Sequence, residues 1–265
     1  MSAKNRYVQI IERIFLEHFE KGLTEFEFER NEIVKHARTL KIKLPKNLGD
    51  LIYSFRYRIP LPDAVLASAP EGKEWLIEPS GRGRYKFVLS PIQQIRPNLM
   101  TAATKIPDAT PGIISLYALN DEQALLAKLR YNRLVDIFSR VACYSLQSHL
   151  RTAVPGLGQV ETDEVYVGID RRGAHYVFPV QAKGGKDRLN AVQVKQDMAM
   201  CGHKFPALIC RCIGAQFTTD DTIVLFEFVE ESGAIKIASE KHYQLVPKTD
   251  LTAHDIESYK RLAEE

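Results

Sequence analysis

Residues 160–186 read VETDEVYVGIDRRGAHYVFPVQAKGGK. The stretch divides into two strand-like runs about the charged turn Asp170-Arg171-Arg172-Gly173, whose final glycine and polar residues suit a tight reversal. A first strand is expected over about 159–169 and a second over 175–183. Side chains alternate along a strand, so Glu161 and Asp163 are expected on one face, and Gln181 and Lys183 likewise on one face. If the strands pair, a carboxylate, an amide oxygen and an ammonium group converge beside the sheet. Such a set suits a hard divalent cation and a water placed against a phosphodiester. An acid inside a β-branched strand is disfavoured by propensity and costly to bury unpaired, so Asp163 calls for a reason. A solvated edge strand is the competing explanation. Glu164 is expected on the opposite face in a structural role.

Asp163 followed by Gln181-Ala182-Lys183 resembles the PD-(D/E)XK nuclease superfamily, which includes most type II restriction endonucleases. Gln181 stands where that family usually has Asp or Glu, as in its Mrr-like members with Gln-x-Lys. The wording LRYNRLVDIF, CYSLQSHLRT and PVQAKGGKD is also similar to restriction endonucleases. The resemblance implies a mixed sheet flanked by helices and Mg²⁺ or Mn²⁺ as cofactor. It implies Asp163, Gln181 and the Ala182 carbonyl as metal ligands, Lys183 serving the attacking water, and Glu161 as a further oxygen donor. An active-site Glu on the preceding helix makes Glu122 a candidate, though an acid in a first helical turn also suits the helix dipole. Partners implied are double-stranded DNA, a second copy of the chain, and a methyltransferase acting on the same site.

Upstream, residues 5–20 place Tyr7, Ile10, Ile11, Ile14, Phe15 and Phe19 at helical spacing. Thr24 and Glu27 suggest a capping box for a second helix, although Phe26 and Phe28 alternate as in a strand. LGDLIYSFRYR reads as a third helix, and KEWLIE and RYKFVL as a hairpin about PSGRG. Three helices and a hairpin resemble a winged helix-turn-helix. That resemblance makes Lys46, Arg56, Arg58, Arg82 and Arg84 candidates for DNA contact. A solvated helix end and an ordinary hairpin tip are the alternative. The expected organisation is a winged-helix DNA-binding domain over 1–92, a linker over 93–114 and a nuclease domain over 115–265.

From Asn120 to Thr152 a helical pattern is expected, long enough for two helices, with Arg130 and Arg133 facing either phosphate or water. A further helix over DRLNAVQVKQDMAMC would carry Gln193, Gln196 and Asp197 on a polar outer face, within possible reach of DNA or water. FPALICRCIGAQF and TIVLFEFV read as strands, and a short polar helix closes the chain. PDATPG is a turn rather than a catalytic Pro-Asp pair, and AKGGKD lacks the spacing of a P-loop.

The whole chain carries a net charge of +3, with 45% hydrophobic residues, ordinary for a folded domain. Residues 1–90 hold 16 Lys+Arg against 12 Asp+Glu, residues 91–219 hold 15 against 10, and residues 220–265 hold 5 against 11. The basic front and middle suit a polyanion surface. Cys143, Cys201, Cys210 and Cys212 read as reduced thiols in a cytoplasmic protein. Function is expected to be metal-dependent hydrolysis of duplex DNA of the restriction type. The open alternatives are a DNA-binding regulator with a decayed nuclease fold, a structure-specific repair nuclease, and a methylation-dependent restriction enzyme.

Overall fold

A computed structural model describes residues 6–57, 59–91, 95–98, 100–117, 122–185, 187–218, 220–231 and 233–264. The chain forms two compact units. One holds residues 1–92 and 153–159, the other residues 93–152 and 160–265.

In the first unit, α1 (Val8–His18), β1 (Glu25–Glu29), α2 (Arg30–Thr39), α3 (Leu48–Tyr57), α4 (Asp63–Ala67), β2 (Lys73–Pro79) and β3 (Arg84–Pro91) follow one another. The strands form an antiparallel sheet in the order β1-β3-β2. α1 buries Ile10, Ile11, Ile14 and Phe15, the stripe its helical spacing dictates. Phe15 meets Trp75 and Phe87 edge-on at 5.3 and 5.1 Å. The Thr24–Glu27 capping box is not formed. Glu25–Glu29 alternates and pairs with β3, Phe26 opposite Phe87 and Phe28 opposite Tyr85, so burial of aromatics on a sheet face overrides the local helix signal. The helix starts instead at Arg30, where Glu29 and Glu32 form the reciprocal box; the Glu29 N–H donates to Glu32 Oε1 at 2.7 Å. The β2–β3 turn uses Gly81 and Gly83 at φ 120° and 73°, a region that favours glycine.

The second unit is mixed α/β. Its elements are β4 (Ala103–Pro107), α5 (Gly112–Tyr117), α6 (Glu122–Tyr131), α7 (Leu134–Ser139), β5 (Ala142–Val154), β6 (Gly158–Ile169), β7 (His175–Lys183), α8 (Ala191–Lys204), β8 (Ile209–Cys210), β9 (Cys212–Phe217), β10 (Thr222–Glu231), β11 (Ala234–Val246) and α9 (Ala253–Glu264). The eight-stranded sheet runs β4-β11-β10-β9-β7-β6-β5, with β8 beside β7. β7 pairs parallel with β9, and β4 parallel with β11; β6–β7, β9–β10 and β10–β11 are antiparallel. Along β10, Ile223 and Leu225 join the core under α6 and α7, while Val224 and Phe226 join the core under α8. Alternation therefore puts helices on both faces. The β6–β7 turn is closed by the Asp170 side chain. Its Oδ1 accepts the Arg172 and Ala174 N–H groups at 2.8 and 2.9 Å, and these bonds hold its carboxyl below the usual range.

Two expectations are corrected. The helical run to Thr152 ends at Ser139. Arg133 and Arg140 adopt left-handed backbone at φ 51° and 58°, closing α7 at both ends, and the chain continues as β5 beside β6. The segment 93–114 is not a bare connector, because β4 joins the large sheet through β11. β11 itself, masked by its mixed charge, carried no strand expectation. No described helix is long and apolar enough to cross a membrane.

Candidate active site

β6 and β7 pair in register from Ile169↔His175 to Glu164↔Val180. Just beyond that last pair, the Asp163 carboxylate reaches across. Its Oδ2 accepts the Ala182 N–H at 2.8 Å. The next residue, Lys183, ends the strand and donates from Nζ to Glu122 Oε1 at 2.7 Å. Glu122 opens α6, so this helix and the end of β7 form the ion pair, beside the Asp163 carboxylate from the middle of β6. Burial raises the Asp163 carboxyl above its ordinary range. The Ala182 N–H, the Lys183 ammonium and His149 pull the other way, and the Glu122 charge adds to the rise. Asp163 thus sits within the field of Lys183, Glu122 and His149. Lys183 is the better buried of the ion pair, its side chain 15% exposed against 38% for Glu122.

Gln181 parts from this group. Its Nε2 donates to Asp197 Oδ2 at 2.9 Å and to the Glu161 carbonyl at 3.1 Å; its Oε1 is buried without a hydrogen-bond partner among the described residues. Thr162 donates to the other Asp197 oxygen at 2.5 Å. The shared face expected for Gln181 and Lys183 is not used in common, because Lys183 is the terminal residue and its long stem reaches α6 round the strand end. Gln181, inside the strand, is held by α8. The reason is Asp197, 1% exposed, whose carboxyl burial pushes up to about 8. A group so buried requires hydrogen-bond donors.

Glu161 is also committed elsewhere. Its Oε1 accepts Arg151 Nε and Nη2 at 3.0 and 2.8 Å. Glu164 is fully buried and structural; it accepts Arg130 Nε and Nη2 at 3.1 and 2.9 Å and the Ser145 hydroxyl at 2.5 Å. Arg130 is therefore spent on Glu164, and Arg133 pairs with Asp136. Asp197 and Gln196 are buried, against the expected polar outer face. Their signal was in the sequence, since Asp197 falls three and four residues from Val194 and Cys201 on the inward stripe of α8. His149 was missed altogether. It sits in β5 at φ 50°, with Nε2 2.8 Å from Gln123 Nε2, and a segment read as helix gave no hint of it.

In the first unit, Lys46, Arg82 and Arg84 are exposed and Arg56 is partly buried. Arg58 lies outside the described residues.

A divalent ion meets a mixed donor set here. Asp163 fits as a single carboxylate ligand, since Mg²⁺ keeps several waters and takes few protein carboxylates. Gln181 keeps its amide nitrogen on Asp197 and leaves its buried side-chain oxygen without a hydrogen-bond partner among the described residues. Among the described residues, the only His, Cys, Asp or Glu group with ligand atoms all within 4.8 Å of one another is Glu17, Glu32 and His36 in the first unit. That group already satisfies itself: His36 lies 3.2 Å from Glu17, as does Lys35, and His18 lies 2.6 Å from Glu32.

No family model matches the chain, and no curated protein matches it.

Proposed function

We propose that the chain is a metal-dependent endonuclease of the restriction type that hydrolyses phosphodiester bonds of double-stranded DNA. The observation that carries this reading is the meeting of Asp163 and Lys183 at the end of the β6–β7 ribbon, the carboxylate on the amide beside Lys183 and the ammonium on Glu122. The order of two helices, three strands, a helix and two strands from α6 through β9 supports a restriction-endonuclease-like core. The order of helix, strand, two longer helices and hairpin in the first unit supports a winged helix, with exposed Lys46, Arg82 and Arg84 as its phosphate contacts.

In this reading Asp163 and the Ala182 carbonyl hold the ion. Bound there, Mg²⁺ would supply positive charge against the scissile phosphate and would lower the pKa of a coordinated water. Lys183 orients the nucleophile and offers its ammonium charge to the oxygens of the pentavalent transition state. Glu122 keeps that amine in place. In-line attack expels the 3′ oxygen and leaves a 5′ phosphate. Gln181, held through its amide nitrogen by Asp197, keeps its side-chain oxygen for the ion. A homodimer brings two such sites to the two strands.

A second reading, a DNA-binding regulator with a decayed site, draws on the same geometry. Gln181 is turned to Asp197, and Glu161 to Arg151. Incubation of the pure protein with methylated and unmethylated plasmid, branched duplexes and Mg²⁺ separates the readings. Discrete fragments support restriction cleavage, preference for branched duplex points to a repair nuclease, and intact DNA on every substrate supports the regulator.

A further inference from the structure

Two glutamines on neighbouring strands repeat one arrangement. β9 runs parallel with β7 and places Gly214 beside Gln181 and Gln216 beside Lys183. Residues two apart share a strand face, so the register puts Gln181 and Gln216 on the same face. Both are buried, 2% and 9% exposed. Each amide nitrogen is tied to a backbone carbonyl at 3.1 Å, Gln181 Nε2 to Glu161 and Gln216 Nε2 to Asp187. A carbonyl oxygen only accepts, so turning either amide over would set oxygen against oxygen. Both side chains are therefore fixed in orientation. In both, Oε1 is buried and has no hydrogen-bond partner among the described residues.

A buried acceptor left without a partner is costly, and here two stand on one face. Of the other two residues at that corner of the sheet, Gly214 has no side chain and Lys183 sends its ammonium to Glu122. Strand spacing and rise put the Gln181 and Gln216 Cα atoms about 8 Å apart on the diagonal, a gap that two glutamine side chains can bridge through one ion. The Asp163 carboxylate sits on the N–H of Ala182, the residue next to Gln181. A carboxylate and two neutral oxygens make a donor set for a hard cation; a water has only two hydrogens to give three acceptors. We propose that Gln216 is a further oxygen ligand of the divalent ion at the candidate active site, entering beside Gln181. The inference rests on the reading of Asp163, Ala182 and Gln181 as ligands of that ion. Gln216 adds an oxygen without adding charge, where Gln181 stands in place of an acid.

The test titrates the full chain with Mn²⁺ in the absence of DNA and follows free Mn²⁺ by its electron paramagnetic resonance signal. Wild type is expected to bind Mn²⁺ and Asp163→Ala to lose that binding. Gln216→Met keeps the length of the side chain and removes its oxygen, and is expected to raise the dissociation constant at least about tenfold. Gln216→Glu is expected to tighten binding, because it adds a charge to the ligands. A merely disturbed fold would weaken binding, so Gln216→Glu decides the question even where Gln216→Met fails to fold. An unchanged dissociation constant in both variants, or weaker binding by Gln216→Glu, overturns the inference and leaves the Asp163 site standing. Absence of Mn²⁺ binding by wild type overturns both. The expected changes in a wild type that cuts no DNA uphold Gln216 as a ligand and remove the nuclease reading.

Discussion

At the scale of single residues, the second unit contains two buried carboxylates held by different means. Glu164 is paired with the Arg130 guanidinium, whereas Asp197, among the described residues, is held by the hydroxyl of Thr162 and the amide of Gln181. The first depends on its partner. Arg130→Met strands a carboxylate that has no solvent exposure and is expected to lower unfolding stability by about 3 kcal/mol, read from urea denaturation midpoints; a loss under 1 kcal/mol contradicts the pairing. The second depends on pH. Folded Asp197 holds its proton up to about pH 8, while the unfolded chain releases it near the ordinary carboxylate value of 3.8. The folded state thus binds more protons in that window, and stability falls as pH rises through it. Asp197→Asn is expected to remove part of that fall. Denaturation midpoints of wild type and variant at pH 5 and pH 7.5 check it, and an unchanged slope refutes a protonated Asp197.

At the scale of elements, close packing over β9 leaves no room for a side chain at Gly214. A Cβ on Gly214 of β9 would lie 2.6 Å from Leu189 and 2.7 Å from Phe228. Gly214→Ala is therefore expected to cost about 1–3 kcal/mol by overpacking, seen as a lowered thermal midpoint. The β6–β7 hairpin was legible from residues alone, because alternation and the Asp170–Gly173 turn agree. The first-unit core was legible for the same reason, its apolar residues falling at helical spacing in α1. β5 was not legible. ACYSLQSHLRTAV is mostly exposed and has no alternation to read; it becomes a strand by pairing with β6. The site was half legible. Asp163 and Lys183 stand where the ribbon was expected to place them, and Glu122 adds an ion pair that spacing could not supply. The hold on the Gln181 amide nitrogen was not legible, because the acid that captures it lies on a helix 16 residues away.

At the scale of the whole molecule, the proposal assigns binding to the first unit and chemistry to the second. Binding by exposed cations is a phosphate interaction, so Arg82→Ala and Arg84→Ala are expected to weaken duplex binding about equally for all sequences. Each is expected to reduce the salt slope by about 1, measured by fluorescence anisotropy from 50 to 200 mM salt; an unaltered slope removes the hairpin from the interface. Chemistry rests on the meeting of Asp163 and Lys183. The most direct test is fragment-end sequencing of a mixed plasmid library digested with Mg²⁺ by wild type beside Asp163→Ala. The account predicts 5′-phosphate ends from the wild type and a loss of cutting of at least about 100-fold in the variant, which still binds DNA. Cutting retained by Asp163→Ala, or no cutting by the wild type on any member of the library, contradicts it.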